Sequence, residues 1–248
     1  MSRGRYGFLA TALLVLAAPA AAYSLSIGLR LWVPFDGTLE DRGPGGHDGV
    51  AVGTEVPGYL DSLTGAAANF DGINDAVRFP TLPNSVFSGD FSIAWWMRVP
   101  AHARYSVLGK RSICSTGQAF DIRTTPAVPS QTQFEAMSAG GFITALGAPL
   151  VPGEWMHVAA VREGATARIY TNGVSAPSTN VGSGDLSAAS APFGISVSPC
   201  ISAAGGTVRL NGQIDELRVY SRALTPTEVA LLAGPYLFAD DFEAPALP

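Results

Sequence analysis

Phe91-Ser92-Ile93-Ala94-Trp95-Trp96-Met97-Arg98-Val99 reads as one alternating run. Successive side chains of an extended backbone point to opposite faces, so Phe91, Ile93, Trp95, Met97 and Val99 share one side and Ser92, Ala94, Trp96 and Arg98 the other. The first set is a core face. Trp96 shares its face with Ser and Arg, which places a large aromatic on the outer side of a sheet or beneath a covering loop.

Working outward, runs of the same kind recur at Leu29–Asp36, Ala76–Pro80, Tyr105–Lys110, Ala119–Thr124, Gln131–Met137, Trp155–Glu163, Ala167–Asn172, Pro192–Val197 and Gln213–Tyr220. Turn residues separate them, and the 28 Gly and 18 Pro are spread along the chain rather than gathered in a linker. Thr171-Asn172-Gly173-Val174 carries the Asn-Gly pair that accepts positive φ in a two-residue hairpin. In Gln213–Tyr220 strict alternation sets Ile214, Glu216, Arg218 and Tyr220 against Asp215, Leu217 and Val219. Asp215 then leads an apolar face, and Asp215 and Glu216 point apart. A single helix is legible near the end: Thr225 as cap, Pro226 in the first turn, Glu228 completing a capping box and Gly234 as stop. So many short strands predict an all-β, antiparallel two-sheet sandwich with one short C-terminal helix.

Composition narrows the class further. A chain of 248 residues with 47% hydrophobic side chains is too apolar for disorder, and its one long apolar run lies at the N-terminus, which excludes a multi-span membrane protein. Arg3 and Arg5, the apolar run Phe8–Ala18 and Ala20-Ala21-Ala22 read as a signal peptide over residues 1–22. That run is too short for a membrane span, so the mature chain is expected to have none. Residues 23–234 form the domain and 235–248 a C-terminal tail with an aromatic-acidic ending, Leu237-Phe238-Ala239-Asp240-Asp241-Phe242-Glu243. The formal charge of −5 becomes −7 once Arg3 and Arg5 leave with the leader. An acidic domain is a poor nucleic-acid binder. The expected location is secreted, periplasmic or at the cell surface, and Lys110 as the one lysine against fourteen arginines suggests a high-GC bacterial source. In an oxidising compartment Cys114 and Cys200 pair, stabilising the fold by at most about 4–5 kcal/mol, the alternative being two buried free thiols. Neither has metal-ligand spacing to a partner.

A series of short motifs resembles, in order, the laminin G-like domains of the concanavalin A-like lectin/glucanase superfamily. They are Phe35-Asp36-Gly37, the Gly-rich loop Asp41–Gly49, Ala68-Asn69-Phe70-Asp71-Gly72 through Asp75-Ala76-Val77, Phe91-Ser92-Ile93-Ala94 through Trp96, Trp155-Met156-His157-Val158 through Arg162, Ile169-Tyr170-Thr171-Asn172-Gly173, and Ile214-Asp215-Glu216-Leu217-Arg218-Val219-Tyr220 through Leu224. The Gly-rich loop departs from the common pattern at Arg42 and Pro44. The resemblance implies an antiparallel jelly roll. It also implies a binding module for carbohydrate or another cell-surface ligand, often with bound calcium.

Three chemistries follow as expectations. The candidate calcium ligands are Asp36, Asp71, Asp75 and Asp215, since this ion takes six to eight oxygens and Phe-Asp-Gly turns offer carboxylate and carbonyl together. The candidate ligand-binding residues are Trp96 with Arg98 and Trp155 with His157, aromatics on which a sugar ring stacks beside polar groups for its hydroxyls. The loops Ala101–Arg104 and Thr125–Ser130 are alternative sites. No catalytic set is legible: the paired carboxylates of a sandwich glucanase, E-x-D-x-x-E on one strand face, are absent, as are H-E-x-x-H and G-x-S-x-G. The sequence therefore reads as a non-catalytic module for a glycan or cell-surface component. The alternatives are a glycan-active hydrolase of the same superfamily and a structural surface protein with a protein partner.

Overall fold

The computed structural model describes residues 24–53, 56–63, 65–114, 119–138, 141–201 and 208–234; the leader 1–22 and the tail 235–248 lie outside the described residues. In chain order the strands are β1 (Leu29–Val33), β2 (Val50–Ala51), β3 (Gly58–Asp61), β4 (Ala66–Asp71), β5 (Val77–Arg78), β6 (Phe91–Arg98), β7 (Ser106–Lys110), β8 (Ala119–Thr124), β9 (Gln131–Ser138), β10 (Gly141–Pro149), β11 (Met156–Glu163), β12 (Thr166–Thr171), β13 (Val174–Ser175), β14 (Thr179–Asn180), β15 (Gly194–Ile195) and β16 (Asn211–Tyr220). The helix α1 (Pro226–Leu232) follows. They make two antiparallel sheets in a jelly-roll sandwich. The nine-stranded sheet runs β13-β12-β11-β6-β16-β4-β3, with β1 also on β16 and β14 also on β12; the seven-stranded sheet runs β10-β9-β8-β7-β15-β5-β2.

The inner faces close on one core. Phe91, Ile93, Trp95 and Met97 of β6 meet Phe120 and Ile122 of β8 and Phe134 of β9. Phe87, Phe91, Phe120, Phe134 and Phe193 interlock with ring centroids 5.1 to 6.2 Å apart, the spacing at which tilted and offset aromatic pairs attract. The Asn172-Gly173 turn joins β12 to β13 with both residues at positive φ, 49° and 78°, and pairs Thr171 with Val174.

The outer face of the nine-stranded sheet is divided along its length. At one end α1 lays Val229 and Leu232 onto Ala94, Ala159, Val161, Tyr170 and Tyr220, forming a second, smaller core. The helix is fixed there by its capping box, in which Glu228 N–H donates to Thr225 Oγ1 and Thr225 N–H donates back to Glu228 Oε2 at 2.8 Å. Arg222 clamps the same carboxylate with bonds of 2.7 and 2.9 Å, and these bonds hold it at a pKa of about 2 against the opposing effect of burial. The other end of this face, from Trp96 to Arg98, is not reached by α1.

One expectation about phase is corrected. Strict alternation would turn Asp215 toward the core with Leu217 and Val219. The register of β16 against β6 instead slips between Asp215 and Arg218, and Glu216 sits at φ 52°. The extra residue of this β-bulge lets Ile214, Leu217 and Val219 all face the core, and Asp215 lies opposite Trp96 on the outer face.

Candidate functional site

The open end of that outer face gathers polar and aromatic side chains from five strands or their ends. Arg98 of β6 pairs with Gln213 of β16, and Gln213 with Asn69 of β4, so residues far apart in sequence stand side by side on one face. Arg98 donates through Nε to Gln213 Oε1 at 2.5 Å and stacks its guanidinium over the Trp155 ring, 5.3 Å from the centroid. Gln213 is only 4% exposed, and among the described residues its Nε2 has no hydrogen-bond partner. Leu60, Asn69, Pro100, Gly153, Asn211 and Gly212 complete a shallow groove of about 340 Å³ around Arg98 and Gln213. Gly212 is required at its place: φ is 147°, and a Cβ there would collide with the Arg98 carbonyl.

The next residues along the strands form the groove's buried flank. Trp96 pairs with His157 on one side and Asp215 on the other. It is 9% exposed and meets the His157 ring edge-on at 5.4 Å, so it packs as support rather than presenting a face to a sugar. Burial, with the positive charge of Arg218, pushes the His157 pKa down to about 3, leaving a neutral imidazole. Asp215 is pushed up to about 7, first by burial and further by the Glu216 and Asp36 carboxylates, against the stabilising bonds it accepts from Ser62 Oγ and from Glu216 N–H at 2.8 Å.

The four aspartates singled out in the sequence fall into two pairs. Asp71 accepts from Ile73 N–H at 2.7 Å and Asn74 N–H at 3.3 Å, and Asp75 accepts from Asp71 N–H at 2.9 Å, which closes a turn. Asp36 accepts from Ala66 N–H at 3.0 Å and lies 3.8 Å from Arg42, near enough to Asp215 to raise its pKa. Asp71 stands opposite Asn211, four residues along β16 from Asp215, or about 13 Å in an extended strand. No single ion bridges that span, and among the described residues no three His, Cys, Asp or Glu side chains group as a metal site.

On the outer face of the seven-stranded sheet, Asp121 of β8 and Glu135 of β9 stand directly opposite one another. Such neighbours have Cβ atoms about 5 Å apart, close to the separation used in retaining glycoside hydrolysis. Arg111 bonds both carboxylates, at 2.7 and 3.1 Å, Arg123 takes the other Glu135 oxygen, and Ser198 donates to Asp121 at 3.1 Å. Both acids are 2% exposed. The disulfide Cys114–Cys200, with Cα atoms 4.9 Å apart, ties the segment after Arg111 to the segment after Ser198. These carboxylates are therefore sealed and neutralised by guanidinium groups, an arrangement suited to holding loops in place.

Residues 71–230 match the family model described as the concanavalin A-like lectin/glucanases superfamily. The chain belongs to that superfamily. Among solved structures with its fold, domain 4 of an extracellular arabinanase from Geobacillus stearothermophilus, in complex with arabinotriose, is 24% identical with a TM-score of 0.65. That match covers 83% of this chain and 98% of the arabinanase domain. The binding domain of Paraclostridial mosquitocidal protein 1 is 17% identical with a TM-score of 0.62, and the receptor binding domain of botulinum neurotoxin mosaic serotype C/D is 9% identical with a TM-score of 0.62. Those matches cover 86% and 84% of this chain, which spans about half of each toxin domain, 53% and 51%. No curated protein matches the sequence.

Within this concanavalin A-like sandwich, the structure brings Trp96, Arg98, Trp155 and His157 together as neighbours, with Arg98 in the groove, Trp155 stacked beneath its guanidinium and Trp96 and His157 under the flank. Sequence reading passed over Gln213, Asn69 and Asn211. Each is an ordinary polar residue in its own segment and becomes notable only beside Arg98. Among the described residues no helix is long and apolar enough to cross a membrane.

Proposed function

We propose that this chain is an exported, non-catalytic binding module that takes a glycan in the groove on the open end of the nine-stranded sheet. One observation carries the reading. The groove sets the Arg98 guanidinium, propped on the ring of Trp155, beside the amides of Asn69, Asn211 and Gln213 and the apolar Leu60 and Pro100, a pairing of hydrogen-bonding groups and apolar surface that suits a sugar's hydroxyls and its apolar face. The solved arabinanase domain with bound arabinotriose supports a carbohydrate as the ligand class, as an analogy of fold. Export rests on the leader at residues 1–22, and the disulfide suits an oxidising compartment.

A glycan array followed by titration calorimetry tests the proposal. Binding in the micromolar to millimolar range is expected for at least one oligosaccharide, weakened about tenfold or more by Trp155→Ala. An array with no binder, or a variant that binds as well as the parent, would refute it. For the hydrolase alternative, both opposed carboxylates are ion-paired and buried, so no reducing ends are expected from a polysaccharide panel; their release would reverse this ordering.

A further inference from the structure

We infer that the groove selects a carboxylate-bearing glycan, one carrying a uronate or a sialate, over its neutral counterpart. This inference rests on the glycan-binding reading and goes further by naming the ligand's charge and the atoms that meet it.

The argument begins with Gln213. Its Oε1 receives Arg98 Nε, and a guanidinium has no acceptor, so the side-chain amide can be oriented only one way, with Nε2 turned from Arg98. That NH₂ group is buried and has no partner among the described residues, and Gln213 lines the groove. A buried donor without an acceptor costs roughly as much as a lost hydrogen bond, so a ligand that supplies the acceptor recovers that cost. Arg98 repeats the pattern. Its Nε is committed to Gln213 and its flat face to Trp155, while among the described residues its two terminal nitrogens have no protein acceptor. Among the described residues Arg98 is the one charged side chain lining the groove, and no acid lines it.

The buried amide and the guanidinium edge thus form an array of donors with net positive charge. A planar carboxylate matches it, because two oxygens can accept from the guanidinium fork and from a neighbouring N–H at once. A hydroxyl would supply an acceptor without the charge. A sulfate would supply charge in a tetrahedral rather than planar array.

The experiment is calorimetric titration of the disulfide-intact chain with matched pairs: trigalacturonate against its methyl ester, and 3′-sialyllactose against lactose, with a sulfated galactose oligomer as a third arm. At least one acidic sugar is expected to bind tenfold or more tighter than its neutral partner, with affinity falling as salt rises. The pair that shows the effect distinguishes a uronate from a sialate. Arg98→Gln is expected to abolish the preference. Asn211→Asp, at an exposed rim position opposite Asp71, is expected to weaken acidic binding severalfold in a chain still folded by circular dichroism at the titration temperature, which protects the test against a misfolded Arg98 variant.

Equal binding of acidic and neutral partners would overturn this inference while leaving the glycan reading intact. A sulfated sugar that binds as well as the carboxylated one would overturn selection by carboxylate geometry. Retention of the preference by Arg98→Gln would do the same. Absence of binding to every sugar, on this panel and the wider array, would remove both readings.

Discussion

Replacing Asp215 by Asn is expected to stabilise the domain at alkaline pH and to leave it nearly unchanged under acid. The carboxyl is 1% exposed and its pKa is pushed up from the ordinary 3.8 to about 7. A carboxyl that holds its proton more tightly when folded makes the native state bind more protons than the unfolded state between these two values. Stability therefore rises as pH falls from about 7 toward 4, and the cost of ionising the buried group is fully present above pH 7. Three pKa units correspond to about 4 kcal/mol. Asn keeps the shape and an acceptor for Ser62 or Glu216 N–H and gives up part of the other bond, which costs about 1–1.5 kcal/mol. The net gain at pH 8 is then about 2–3 kcal/mol, or roughly 5–10 °C in melting temperature for a domain of this size. At pH 4 the variant should equal the parent or fall about 1 kcal/mol below it. Urea denaturation of both proteins at pH steps between 4 and 9 reads the difference directly and cancels the titration of all other groups. A variant destabilised equally at pH 4 and pH 8 would refute the reasoning, and one destabilised only at pH 8 would show that a cation compensates an ionised Asp215.

Three further outcomes follow from named contacts. Arg111→Met leaves Asp121 and Glu135 facing each other without their shared guanidinium and should cost about 3–5 kcal/mol in chemical denaturation; a loss below about 1 kcal/mol would mean that the cluster is solvated. The turn carboxylates Asp71, Asp75 and Asp36 each accept N–H groups, so EDTA should shift the melting temperature by less than about 1 °C, and a fall of several degrees would establish a bound ion. Gly212→Ala forces a Cβ against the Arg98 carbonyl at a φ that side chains avoid, with an expected loss of about 1–3 kcal/mol and of groove binding together; unchanged melting and binding would show that β16 yields there at no cost.

Local chemistry was legible where a few consecutive residues settle the matter. Strand β6 turns its faces as its alternation indicates, the Asn172-Gly173 hairpin forms, and Thr225 and Glu228 cap α1, because each outcome depends on side-chain period or on bonds spanning three or four residues. Strand β4 was harder to see, since Ala66-Ala67-Ala68 is a weak strand former by itself and is held extended by pairing with β16 and β3. Asp215 was assigned to the wrong face for a related reason: a bulge is an agreement between two strands, and the residues of one strand do not announce it.

The sequence alone determined a disulfide-compatible, all-β sandwich with a short capped helix, together with four side chains, Trp96, Arg98, Trp155 and His157, that do lie on one face. Tertiary structure alone decided which of them border the groove and which support it. It also decided that Gln213, 115 positions from Arg98, completes the donor array, and that Asp121 and Glu135 meet only to be sealed by arginines. The physical reason is common to all three. Hydrophobic period and turn preference act along the chain, whereas burial, hydrogen-bond partnership and charge compensation act across strands, between residues that only the order of the sheet makes neighbours.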